Sequence, residues 1–78
     1  MGTKNNPGEF DCYENAAPDE PMFILLGRDK SAADLVDEWA QRREDIYGWG
    51  PEANPHQVAK INEARACAEA MREYYARP

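Results

Sequence analysis

The sequence has few of the residues on which catalytic and metal sites depend. Its 78 residues include one histidine, His56, and two cysteines, Cys12 and Cys67. No cysteine or acid stands at metal-ligand spacing from His56, and no base lies beside either cysteine to activate it as a nucleophile. Ser31 lacks the G-x-S-x-G context of a catalytic serine, and the single glycine of LLGRDKS forms no phosphate-binding loop. We therefore expect no enzyme, no metal site and no cofactor.

Long apolar runs are also missing. The first ten residues, MGTKNNPGEF, contain no apolar signal region, and no later run is long enough to span a bilayer. The two cysteines are too few to build a disulfide framework, so both are expected to be free thiols. These features predict a cytoplasmic protein that does not associate with membranes.

Basic residues are outnumbered, with nine lysines and arginines against fifteen acids and a net charge of -6. The acids are concentrated in the first half of the chain, whereas residues 55–78 are nearly balanced. This distribution argues against direct nucleic-acid binding, which needs a basic surface. An acidic face can instead bind a basic protein surface, or it can simply keep the protein soluble.

The chain is long enough for one small domain, because so few residues can bury only one modest core. Residues 1–18 are rich in turn-forming residues and predict a loose N-terminal arm, which leaves 19–78 as the domain. The apolar run 22–26, MFILL, lies between Pro21 and Gly27 and predicts one short strand. Its partner would be residues 10–13 or the same strand of a second subunit, so a homodimer is one expectation.

Two helices are predicted after the strand. The first spans residues 32–47, with Ser31 as its cap and Gly48 as a left-handed residue after its last turn. The second runs from Pro55 to about residue 75, and the preceding Asn54 is its cap. The fold class is therefore α-rich α+β: an arm and one short strand, followed by an antiparallel two-helix hairpin. Apolar residues at spacings of three and four predict the helix contact: Leu35, Val36, Trp39, Ile46, Val58, Ile61, Ala64, Ala68 and Met71.

Five residues are candidates for binding a partner. Asp37, Glu38, Glu44 and Asp45 are expected on the side of the first helix that faces away from its apolar residues. Trp49 stands between two glycines in the turn, where it could be an exposed anchor or part of the core.

Two stretches of the sequence carry a resemblance: DEPMFILLGRDKSAADLVDEWAQRRE and KINEARACAEAM. They resemble a group of short proteins encoded by phages and prophages of proteobacteria. The shared features are the acidic DEP followed by apolar residues, the RD before a helix, the WA within it and the EAR-A-A-M helix. The resemblance implies a phage accessory protein in the cytoplasm of the host bacterium, and it transfers no reaction and no site residue.

Small acidic phage proteins without catalytic residues often disable a host factor, and anti-CRISPR proteins are one such class. The resemblance therefore implies an inhibitor that blocks target-DNA binding to an RNA-guided effector complex, with its acidic helix face on a basic surface. The alternative is a dimeric structural or regulatory adaptor of a phage or mobile element without CRISPR-related activity. An adaptor should have an apolar self-interface that is insensitive to salt, whereas an inhibitor of this kind should bind its partner more weakly as salt rises.

Overall fold

A computed structural model describes residues 1–48 and 53–78 of the chain. The described residues form one short and two long helices, which are α1 (Cys12–Asn15), α2 (Ala32–Tyr47) and α3 (Pro55–Tyr75). The two long helices pack against each other. Arg65 of α3 contacts Glu44 late in α2, whereas the later Arg72 contacts Asp37 early in α2, so the helices run antiparallel. The prediction of two long helices forming a hairpin is confirmed.

The start of α3 follows from its capping residues. The side-chain oxygen of Asn54 accepts a hydrogen bond of 2.9 Å from the backbone N–H of His56. Pro55 occupies the first helical position, where the missing N–H of proline costs no hydrogen bond. The predicted cap of the second helix is therefore confirmed.

The two ends of α2 differ from the prediction. Ser31 makes no side-chain capping bond; its hydroxyl donates instead to the carboxylate of Asp29 at 2.8 Å, and its backbone N–H donates to the same oxygen. At the other end, Gly48 keeps right-handed backbone angles, so the predicted left-handed residue is wrong. Glycine is needed there for space, because an added Cβ would lie 2.8 Å from the carbonyl oxygen of Glu44.

The core between the helices consists mainly of alanine. Its buried members are Ala32, Ala33 and Ala40 of α2 with Ile61, Ala64 and Ala68 of α3. Because alanine has only a methyl side chain, the two helix backbones approach closely along this contact. The three α3 residues of this set were predicted to lie in the contact, and that part of the prediction is confirmed.

Three of the large α2 residues predicted for the same contact lie elsewhere. Leu35, Trp39 and Ile46 are 48%, 37% and 62% exposed, so their assignment to the helix contact is wrong. They are on the side of α2 next to the alanines, outside the buried part of the contact with α3. Of the large α2 residues predicted for the contact, Val36 does pack against the core cluster.

The predicted strand is also wrong. Residues 22–26 have no regular secondary structure, and no strand occurs among the residues that the structure describes. A strand needs a neighbour for its backbone groups, and of the proposed neighbour at residues 10–13, Cys12 and Tyr13 belong to α1 instead. The described chain is therefore helical, without the sheet component of an α+β fold.

The first ten residues of the arm lie against α3. The carboxylate of Glu63 accepts hydrogen bonds from the backbone N–H groups of Glu9 (3.0 Å) and Phe10 (3.2 Å). Gly8 has φ of +82°, and an added Cβ would lie 2.0 Å from a carboxylate oxygen of Glu63, so only glycine fits. The Met1 side chain packs against the core cluster. None of the helices in the described residues is sufficiently long and apolar to cross a membrane.

Candidate protein-binding surface

Two of the predicted acids are turned toward α3. Glu44 forms an ion pair of 2.7 Å with Arg65, and Asp37 pairs with Arg72, which also contacts Asp34 at 2.9 Å. Glu44 and Asp37 are both partly buried. The expectation that both face solvent, away from the helix contact, is therefore wrong, and their main contacts hold the two helices together.

The ion pairs shift the pKa values of three of their members. The hydrogen bond from Arg65 holds the pKa of the Glu44 carboxyl below its ordinary value, and the same contact raises the pKa of Arg65. The hydrogen bonds to Asp34 and then Asp37 raise the pKa of Arg72. Each charged form is thus favoured in the folded protein, as expected for ion pairs.

We expect Glu44→Gln to lower the free energy of unfolding at pH 7 but not in acid. Because the folded pKa of Glu44 is depressed, its charge stabilises the fold above the ordinary glutamate pKa, and this contribution is lost as pH falls through the depressed value. The difference between wild type and variant, measured by urea denaturation, should shrink as the pH falls through the depressed pKa of Glu44 and should be absent once this carboxyl is protonated. The control is Glu38→Gln, whose exposed pair with Arg42 lies within α2. A difference that persists in acid, or that the control matches, would contradict this role.

The other acids of α2 form an exposed stripe. Asp34, Glu38 and Asp45 are separated by four and seven positions, which places them on one side of a helix. All three are exposed, and we call them the acidic stripe. Glu38 pairs with Arg42 at 2.8 Å, and Asp45 accepts a hydrogen bond of 3.0 Å from Gln41. Glu38 and Asp45, both predicted as binding residues, are thus on the free side of α2.

An exposed apolar row runs beside the acidic stripe. It consists of Leu35, Trp39 and Ile46, each of which directly follows a member of the stripe in the sequence. The guanidinium of Arg43 lies 5.3 Å from the centre of the Trp39 ring, and the Lys60 ammonium lies 6.0 Å from it. Such cations hold the ring by cation–π attraction, and 37% of Trp39 remains exposed. The sequence shows this row at spacings of four and seven, but such spacing also predicts core packing.

Trp49, the fifth predicted binding residue, is one of residues 49–52, which lie outside the described part of the chain.

Among the described residues, no group of three or more histidine, cysteine, aspartate or glutamate side chains could hold a metal ion. Cys12 and Cys67 are free thiols, as predicted. Burial raises the pKa of the Cys67 thiol.

No match was found when the chain was compared with protein-family models, with curated proteins and with solved structures. The fold and its surface define a small helical-hairpin protein whose outer α2 side combines an acidic stripe with an apolar row.

Proposed function

We propose that this protein is a phage-encoded inhibitor that binds a host protein complex through α2, and that it acts as an anti-CRISPR protein. The observation that supports this proposal is the apolar row directly beside the acidic stripe. A few anchor residues supply most of the binding energy of protein interfaces, and tryptophan is enriched among them. Contiguous exposed apolar surface is a common feature of binding sites. Carboxylates at the edge of such a row select partners with a basic surface.

The proposed target is the basic surface on which an RNA-guided effector complex holds its target DNA. Such complexes hold nucleic acid in positively charged channels. A protein with net charge -6 is attracted to a channel of this kind and competes there with the phosphate groups of DNA. The apolar row then holds the protein in place by contacts that phosphates do not make.

The hairpin presents this surface in a fixed form. Arg65 and Arg72 reach from α3 to Glu44 and Asp37, so α2 is held along its length by ion pairs on one side. The buried alanines Ala33 and Ala40 hold its inner side. A surface that is ordered before binding loses little conformational entropy when its partner arrives.

The test is to reverse two charges of the acidic stripe, as Glu38→Lys with Asp45→Lys. Exposed helix positions tolerate such changes within about 0.5 kcal/mol, so the variant should stay folded. We expect it to lose inhibition, measured as plaque formation by a targeted phage on a CRISPR-immune host. The matched control is Glu9→Lys with Glu14→Lys, which makes the same change in net charge at two exposed positions of the arm.

Full inhibition by a folded stripe variant would exclude the acidic stripe as the binding surface. Equal loss in the arm control would mean that net charge alone matters. If the wild type inhibits none of the CRISPR types tested, the anti-CRISPR function itself is wrong.

The second candidate function is a dimeric structural or regulatory adaptor of a phage or mobile element. The observation that favours it is the exposed apolar segment at residues 22–26, which is separate from α2. An adaptor would keep its self-association at high salt and would leave CRISPR immunity intact.

A further inference from the structure

The segment Met22–Leu26 exposes an unusual amount of apolar surface. Phe23 is 87% exposed, and Met22, Ile24 and Leu26 are each about half exposed. No hydrogen bond joins the backbone of residues 22–25 to any other residue that the structure describes. Free backbone groups and exposed apolar side chains together are the features of an edge strand that can pair with another strand.

A groove lies beside this segment, between the start of the arm and the last turns of α3. It has a volume of about 720 Å³, and its apolar lining includes Leu25, Met71 and Tyr74. Its charged lining consists of three basic residues and one acid, Lys4, Arg28, Arg77 and Glu73. Basic residues are thus gathered at an apolar groove in a protein whose net charge is negative, so the groove fits an apolar segment that carries acids.

The chain itself contains such a segment. Asp19 and Glu20 directly precede Pro21 and the exposed run that begins at Met22. These two acids and the exposed Phe23 match the basic and apolar lining of the groove. Because each copy carries both the segment and the groove, two copies can exchange segments by a two-fold rotation, which makes a closed dimer.

We propose that residues 22–26, which form no strand within a single chain, pair as antiparallel strands when two copies associate across a two-fold axis at Ile24. In this register Ile24 of one copy lies opposite Ile24 of the other, and residues equally far before and after position 24 are paired. Met22 then meets Leu26 of the second copy. Glu20 and Arg28 of the second copy lie beyond the paired residues, at the same end of the ribbon, where their long side chains can form an ion pair. Residues directly opposite in an antiparallel pair share one face of the ribbon. Phe23 therefore lies beside Leu25 of the second copy, at its groove.

This pairing fits the residues at both ends of the segment. Pro21 lacks an N–H and suits the end of a strand rather than its middle. After Leu26 the chain turns, since the backbone N–H of Asp29 bonds to the Leu26 carbonyl at 3.0 Å. The ribbon therefore ends where the charged residues begin, and Glu20 and Arg28 flank its two ends.

The test is the oligomeric state of the whole chain, measured by sedimentation equilibrium up to about 1 mM, the concentration range of weak association. We expect a dimer for the wild type. Phe23→Ser should raise the dissociation constant by about tenfold or more, because the residue is the central apolar anchor. The control Tyr13→Ser removes another exposed aromatic side chain and should dimerise like the wild type.

The register is tested by charge exchange. Glu20→Arg and Arg28→Glu should each weaken the dimer, and the double variant should recover it because the ion pair is restored with its signs reversed. A wild type that stays monomeric at every concentration overturns the proposal. A dimer that survives Phe23→Ser, or a double variant without recovery, overturns this interface. Glu38→Lys with Asp45→Lys should leave the dimer unchanged, so the result is independent of the proposed inhibition.

Discussion

Replacing Ala64 by leucine is expected to destabilise the protein by about 3 kcal/mol, at the upper end of the effect of overpacking a tight core. Ala64 is fully buried and belongs to one cluster with Ala40 and Ile61. The close approach of α2 and α3 leaves no room for three more carbon atoms, so the helices would have to separate. A domain of this length has a total stability of about 4–12 kcal/mol. The variant should therefore show a much lower urea midpoint, followed by circular dichroism.

The matched control is Ala66→Leu, which makes the same substitution at an exposed position of α3. Alanine and leucine have similar helix propensity, so the control should unfold at nearly the wild-type midpoint. If Ala64→Leu and Ala66→Leu unfold at the same midpoint, the two helices do not meet through the alanine core.

The helices could be predicted from the sequence because their signals are local. Asn54 followed by Pro55 combines a capping side chain with a proline that loses nothing at the first helical position. The end of the first helix at Tyr47 follows from the glycine after it, although Gly48 acts by giving space to Glu44 rather than by a left-handed turn. The prediction of Ser31 as a cap is wrong because the Asp29 carboxylate, two residues earlier, accepts hydrogen bonds from both the hydroxyl and the backbone N–H of Ser31.

The side of α2 that faces α3 could not be predicted in the same way. The spacing of three and four generates two neighbouring rows, one of alanines with Val36 and one containing Leu35, Trp39 and Ile46. Hydrophobicity favours the large side chains as core. The structure instead buries the small ones, since closely packed backbones gain contacts between the helices. A single sequence does not reveal which of two adjacent rows a second helix covers.

The positions of the four predicted acids of α2 could also be predicted only in part. All four predicted positions are polar and avoid the apolar residues, so the sequence groups them on one face. Their roles are decided by cations on the other helix, because Arg65 and Arg72 draw Glu44 and Asp37 into ion pairs. Glu38 and Asp45 have polar contacts within α2 and remain on its exposed side. Contacts between residues more than twenty positions apart decided this division, and local spacing carries no information about them.

Truncation of Trp39 to alanine is expected to weaken binding to the proposed effector complex by about 2–4 kcal/mol, which is about thirty- to a thousandfold. The ring lies in the middle of the apolar row and is held by Arg43 and Lys60, so it meets a partner without further ordering. Binding is to be measured with the purified effector of a CRISPR type that the wild type inhibits. The same variant should lose inhibition in the plaque assay.

The contacts of Trp39 with Arg43 and Lys60 also contribute to stability, so a second variant is needed to separate binding from folding. Ile46→Ala removes a 62% exposed side chain of the same row, whose loss should barely change the urea midpoint. The control Tyr75→Ala removes a half-exposed aromatic side chain at the end of α3. If the apolar row is the anchor, both row variants bind more weakly and the control binds like the wild type. Wild-type binding by a folded Trp39→Ala protein and by Ile46→Ala would place the binding energy elsewhere on the molecule.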